Sequence, residues 1–207
     1  MGLDMSLKIK RKPTRGKSPY GEILVLRSYY KGREEFATDI PDFRTGKIKY
    51  NQYRMQKADK VEDTYFLADW RKANAIHKWF VENVQNGNDN CKEYRVTQKQ
   101  LEDLYELVCD VIEHCKLKEG KVRNGYTFKK FLGITYKKYN KELGKVLSRK
   151  SRKYCAEHLP TQEGFFFGST DYNEYYYNDL LYTKDRLEYI LNHYNVDSAK
   201  IYYSSSW

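Results

Sequence analysis

Long apolar runs are missing from this chain. No stretch of about 18 apolar residues occurs anywhere in it, which excludes a membrane-spanning helix. The opening segment MGLDMSLKIKRK carries no apolar h-region, so no secretion signal is expected. Cysteines are few: Cys91, Cys109, Cys115 and Cys155, with no Cys-x-x-Cys pair among them. Cys109 and Cys115 fall in a helical pattern, where a thiol behaves as a small buried apolar group, so reduced structural cysteines and a cytoplasmic location are expected. The four histidines, His77, His114, His158 and His193, lie far apart and make no His-Glu-x-x-His spacing, so no metal is expected. No Gly-x-Ser-x-Gly elbow and no Gly-x-x-x-x-Gly-Lys-Ser/Thr loop is present. No cofactor is implied, catalysis has little support, and no internal repeat is visible.

What is abundant is tyrosine, 21 of 207 residues, against a formal net charge of +10. Tyrosine presents a flat apolar ring and a hydroxyl that donates and accepts, while lysine and arginine favour phosphate. Together they suit a nucleotide, free or in a polymer. The charge is uneven. Residues 116–153 hold 14 Lys/Arg against 2 Asp/Glu, and residues 1–60 hold 15 against 7. Residues 61–115 and 154–207 are each net acidic and contain the clearest helical patterns.

The expected organisation is a single α+β domain over 1–207, a small, mostly antiparallel sheet with three main helices packed on it and a Lys-rich insert at about 117–153. Leu3, Met5, Leu7 and Ile9 alternate with Asp4, Ser6, Lys8 and Lys10, as in a strand over 3–12. A loop follows at 13–19, a second strand lies within 22–30 with residues 23–26 buried, and a third is expected at 47–55. Trp70, Ala73, His77, Phe80 and Val84 recur at helical spacing, which predicts a helix over 69–85. Thr97 and Gln100 form a capping box for a helix over 97–116. The insert reads as a hairpin turning at Asn124-Gly125, then a short helix near 142–153. Phe165 to Gly168 read as a brief buried strand or turn. Asp171 is the expected cap of a long helix whose inner face carries Tyr172, Tyr176, Leu180, Thr183, Leu187, Ile190 and Tyr194, and a last strand is expected at 201–203.

Two polar stretches stand out as candidate sites. A helix carrying Trp70, Asn74 and His77 on adjoining positions, with Arg71 and Lys72 beside them, could hold a phosphate or a base edge. The plainer alternative is a core of aromatics with solvated charges. The second stretch, Leu159 to Tyr172, sets Gly168, Ser169 and Thr170 before a helix start, where free N–H groups accept anions, although an Asp171 cap would occupy them. The insert interleaves Tyr126, Phe128, Phe131, Tyr136 and Tyr139 with lysines, a pattern suited to single-stranded nucleic acid or to an ordinary solvated loop. Tyr172, Tyr175, Tyr176, Tyr177 and Tyr182 circle more than one helix face, which favours a homo-oligomer contact or a ligand wall.

The segments Met1 to Leu7, Trp70 to Phe80 and Leu159 to Leu180 resemble a family of small bacteriophage proteins with the pattern MGLDMYL, WRKANxIHxWF and LPTQxGFFFGSTxYxxxYxxDL. They cover about a fifth of the chain, which departs at Ser6 and in its Lys-rich insert. The resemblance implies a phage gene product made in the cytoplasm of the infected bacterial host, and implies no activity. The leading expectation is a non-enzymatic protein that sequesters a small phosphorylated nucleotide-type ligand, such as a bacterial immune signal. Trp70 or Tyr172 would stack on the base, Arg71, Lys72 and His77 would neutralise phosphate, and Asn74, Gln162, Ser169 and Thr170 would bond sugar or base edges. The alternatives are a binder or inhibitor of nucleic acid or a host nucleoprotein acting through the insert, and a nucleotide-processing enzyme.

Overall fold

Apolar alternation at the start of the chain builds the centre of a sheet. Strand β1 (Asp4–Arg11) turns Met5, Leu7 and Ile9 to one side, and with Leu3 ahead of them all four are at most 2% exposed. The computed structural model describes residues 2–11, 25–30, 33–38 and 62–207. The loop at 13–19 and the strand at 47–55 lie outside the described residues, as does the burial expected of residues 23–26. Antiparallel neighbours flank β1: β4 (Glu62–Arg71) on one side and β8 (Ile201–Ser206) on the other. Beyond β4 come β2 (Val25–Tyr30) and β3 (Arg33–Thr38), and beyond β8 the two-residue β5 (Tyr94–Arg95), giving the order β3-β2-β4-β1-β8-β5.

Helix α1 (Asn74–Asn83) is shorter than the helix expected over 69–85. Asp69, Trp70 and Arg71 instead complete β4, opposite Ser6, Met5 and Asp4. Trp70 in the strand and His77 and Phe80 in the helix line the same interior, and that shared interior imitates helical spacing in the sequence. Lys72, with φ 62°, turns the chain between strand and helix while its N–H donates to Leu3 O at 2.7 Å.

Helix α2 (Gln98–Glu113) starts on the expected capping box, with Gln100 N donating to Thr97 Oγ1 at 3.2 Å and Thr97 N to Gln100 Oε1 at 2.9 Å. Helix α4 (Glu174–His193) buries Tyr176, Leu180, Thr183, Leu187 and Ile190 as its periodicity requires. Its cap is Asn173 rather than Asp171: Asn173 Oδ1 accepts from Tyr175 N at 2.9 Å, while the Asp171 carboxylate is taken by Arg123. A short α5 (Val196–Ala199) leads into β8, the final strand. Phe80 of α1 stacks on Tyr203 of β8 at 4.0 Å, and burying each such ring contributes about 2–3 kcal/mol. The class is α+β, with five helices and two antiparallel sheets among the described residues.

The second sheet is the insert. Strands β6 (Leu117–Phe131) and β7 (Ile134–Leu147) form one long hairpin, followed by α3 (Arg149–His158), so the strand occupies the first half of the stretch expected to be a short helix and the helix starts at its second half. Its turn is Leu132-Gly133, with φ 47° and 82° and Phe131 paired to Ile134, the geometry of a two-residue type I′ turn. Asn124-Gly125 is a bulge, two residues facing Asn140 alone, with Gly125 at φ 70°. The Asn-Gly dipeptide supplies the positive φ its composition promises, but spends it on a kink rather than a reversal. Phe165 to Phe167 form a turn in which only Phe167 is buried, whereas Phe165 is 90% exposed.

Candidate functional site

The three motifs meet in space. Leu3 N donates to Phe166 O at 3.1 Å, and Leu3 O accepts from Lys72 N, so the N-terminal segment is bonded to both of the others. The buried Asn74 joins those two directly: its Nδ2 donates to Phe167 O and Ser169 O, each at 2.9 Å, and its Oδ1 accepts from Gln162 N at 3.2 Å. A primary amide has two donors and an acceptor in one plane, so it can pin a loop at three points. Asn74 is thereby saturated within the protein.

His77 is fully buried and likewise engaged on both nitrogens. Nε2 lies 3.0 Å from Asp89 Oδ2 and Nδ1 lies 2.7 Å from the Tyr203 hydroxyl. Burial lowers the His77 pKa, opposed in part by the hydrogen bond and charge of Asp89, and burial raises that of Tyr203. The consistent assignment is a neutral imidazole that donates from Nε2 to the carboxylate and accepts the Tyr203 proton at Nδ1. Trp207 Nε1 donates to the other Asp89 oxygen at 3.0 Å, and the Phe167 ring lies edge-on to the imidazole. Asp89 and Tyr203 were not legible as partners of His77, nor Trp207 as a partner of Asp89, because hydrogen bonding across such separations leaves no spacing signal.

The other expected ligand residues are dispersed. Trp70 is buried, with Nε1 donating to Thr183 Oγ1 at 2.9 Å. Arg71 points to the opposite face of the sheet, where Nη1 lies 3.1 Å from Asp4 Oδ1. Lys72 is exposed at its turn, with its stem against Gly168. Ser169 Oγ accepts from Asp171 N at 3.1 Å, Thr170 O accepts from Thr161 Oγ1 at 3.2 Å, and Tyr172 Oη accepts from Thr161 N at 3.3 Å. Gln162 Oε1 is buried with no hydrogen-bond partner among the described residues. Asn74, Gln162 and Ser169 are brought together, with His77 alongside through Phe167. Arg71 lies across the sheet from them, and Trp70, although it shares the interior with His77, is directed to Thr183 instead.

The outer face of β4, β1 and β8 carries an open trough of about 630 Å³. Asp4, Ser6 and Lys8 line it with Asp69, Arg71, Ser204 and Ser206. Ser6 Oγ lies 3.2 Å from Ser204 Oγ, and Lys8 is paired with Glu93. Charges of both signs and three hydroxyls face this trough, which the outward half of the β1 alternation had already made polar.

A second solvent-facing assembly is the β6–β7 arm. Residues 117–147 carry nine Lys/Arg against two Asp/Glu. Paired positions share a face. Tyr126, Tyr139, Phe128, Lys130 and Lys137 therefore occupy one face, and Lys129, Lys138, Tyr136, Phe131 and Ile134 the other. The five aromatics are 46–67% exposed, and Leu132 at the tip is 84% exposed. Lys137 Nζ sits 4.7 Å from the Tyr126 ring centre and Arg123 4.9 Å from that of Tyr139. A two-stranded ribbon is marginal in water without a surface to pack on, so its base is anchored. Val122 and Leu147 are buried, Leu147 N donates to Tyr172 O at 3.1 Å, Lys145 N donates to Glu174 Oε1 at 3.2 Å, and Arg123 pairs with Asp171. Helix α3 continues the charge with exposed Arg149, Lys150, Arg152 and Lys153.

Among the described residues no group of three or more His, Cys, Asp or Glu is arranged to hold a metal, and no helix is long and apolar enough to cross a membrane. No family model matches this chain, nor does any curated protein or solved structure.

Proposed function

We propose that the protein binds nucleic acid through the β6–β7 arm. One observation carries this reading: lysines and aromatic rings alternate on both faces of a ribbon whose distal half is exposed on both sides. Lysines neutralise phosphates and release counterions, and aromatic rings contact bases. Large apolar side chains kept in water on a cationic arm are costly unless a partner covers them. The three motifs support the reading from the other side, since Asn74 and His77 are engaged within the protein and Asp171 and Tyr172 anchor the arm. A phage gene product, which the resemblance implies, would meet phage or host nucleic acid as the partner.

The test is anisotropy with labelled oligonucleotides from about 50 to about 200 mM salt. Affinity is expected to fall steeply with salt. The variant Lys129→Gln, Lys130→Gln, Lys137→Gln, Lys138→Gln is expected to fold normally and to lower the log–log salt slope by up to about 3.6, at about 0.9 per lost phosphate contact. Salt-independent binding, or an unchanged slope in the variant, refutes the reading.

A second reading rests on the outer trough. A small phosphorylated nucleotide-type ligand would be held there intact, with Arg71 facing phosphate and Ser6, Ser204 and Ser206 bonding sugar hydroxyls. In a phage protein this would sequester a host immune signal. Calorimetry with cyclic nucleotides and ADP-ribose derivatives tests it: binding lost in Arg71→Ala supports it, and uniform failure to bind removes it.

A further inference from the structure

Accepting that the arm binds nucleic acid, we infer that its partner is double-stranded DNA, entered tip-first through the major groove, with Phe131, Leu132 and Ile134 against thymine methyl groups on the groove floor. The first reason is two-sidedness. A single strand lies along one face of a platform and leaves the other bare. Here Lys130 and Lys137 lie on one face and Lys129 and Lys138 on the other. Phosphates are thus required on both sides of the ribbon, as the two rails of a groove supply them.

The second reason is size. Strands rise about 3.3 Å per residue, so Lys130 lies about 7 Å behind the tip, Lys129 about 10 Å and Lys137 about 13 Å. The major groove of B-form DNA is about 8.5 Å deep, which brings Lys130 and Lys129, one on each face, to the height of the phosphates when the tip reaches the bases, while Lys137 Nζ lies further back against the Tyr126 ring. A sheet layer with side chains on both faces is about 10 Å thick. That matches a major groove about 12 Å wide and exceeds a minor groove of about 6 Å. The deep, narrow major groove of A-form RNA shuts the same ribbon out.

The third reason is the chemistry of the tip. Its last three side chains before and after Gly133 are apolar, and none is charged. They offer nothing to a base-edge hydrogen bond. The thymine C5-methyl is the one apolar group displayed on the major-groove floor, and apolar side chains are what contact it.

The experiment compares four probes of about 20 nucleotides per strand: an A·T-rich DNA duplex, the same duplex with uracil replacing thymine, its single strand, and the corresponding RNA duplex. The thymine duplex is expected to bind at least about tenfold more tightly than single-stranded DNA or duplex RNA. Removing the methyls is expected to weaken binding about threefold to fourfold for each methyl buried. The variant Phe131→Ser, Leu132→Asn, Ile134→Thr alters only exposed positions, and Asn suits the positive φ at 132. It is expected to erase the thymine–uracil difference while keeping the salt slope. Equal binding of the thymine and uracil duplexes, or tighter binding of single strands or RNA, overturns this inference and leaves nucleic-acid binding standing. Failure to bind any of the four removes both.

Discussion

Replacing Asn74 with alanine takes out the pin that holds the 162–169 loop on the end of β4 and the start of α1. The amide makes three hydrogen bonds, to Phe167 O, Ser169 O and Gln162 N, from a site that is 3% exposed. Alanine leaves two carbonyls and one N–H without these partners. Each such group costs about 1–3 kcal/mol when water cannot reach it. Ser169 lies at the surface and its carbonyl can rehydrate, so the expected loss is about 3–5 kcal/mol rather than the full sum. That is a large share of a typical stability of about 5–15 kcal/mol. Aspartate at the same position keeps the acceptor for Gln162 N but turns an anionic oxygen towards the two carbonyls. Asn74→Asp should therefore be worse than alanine at neutral pH and recover in acid, where a protonated carboxyl donates to one carbonyl. Urea unfolding monitored by tryptophan fluorescence measures the losses, and amide hydrogen exchange reports whether protection at Phe167 N collapses with them. A loss under about 1 kcal/mol in Asn74→Ala, or the reverse order of the two variants at pH 7, would refute the reasoning.

Burial of neutral His77 makes the protein acid-sensitive. Its folded pKa lies below the ordinary value of 6.5, so the folded state binds fewer protons than the unfolded one as pH falls past that value. Stability should decline by up to about 1.4 kcal/mol per pH unit below about 6.5, and Asp89→Asn should move the onset of acid unfolding to higher pH. Asp179 has the opposite sign. Burial raises its carboxyl to about 7, so stability is lost as pH rises from about 4 to about 7. Asp179→Asn should stabilise by about 1–3 kcal/mol at pH 8 and by nothing near pH 3, measured as a shift in Tm. Thiol titration of the native protein should find Cys91, which is exposed, reacting first and Cys155, which is buried beside Cys115, reacting only on unfolding.

The legible parts of the fold were those where a single element declares its own environment. Met5, Leu7 and Ile9 alternate because one side of their strand faces a core, and Thr97 with Gln100 cap a helix that neither needs a distant partner to begin. Trp70 was misassigned because strand and helix address the same interior, and residue spacing does not distinguish one helix from a strand turning into one. Asp171 and Asn173 are equally good caps by chemistry. What separated them was Arg123, 48 residues away, which claims the aspartate. The candidate site divided in the same way. The sequence marks Lys72, Asn74, His77, Gln162 and Ser169 as unusually polar for their surroundings, and these do gather. It does not reveal that Asn74 is there to pin the backbone of the other motif, or that His77 turns to Asp89 and Tyr203.

Composition and periodicity alone determined an α+β chain with a cationic, aromatic insert, because charge, ring content and the faces of individual elements are local properties. Only the tertiary structure decided that the insert stands out as a two-faced ribbon while the polar motifs close into a buried joint. Exposure is set by which surfaces long-range pairing leaves uncovered, and a hydrogen-bonding side chain reads the same in sequence whether its partner is a ligand or a backbone 90 or so residues away.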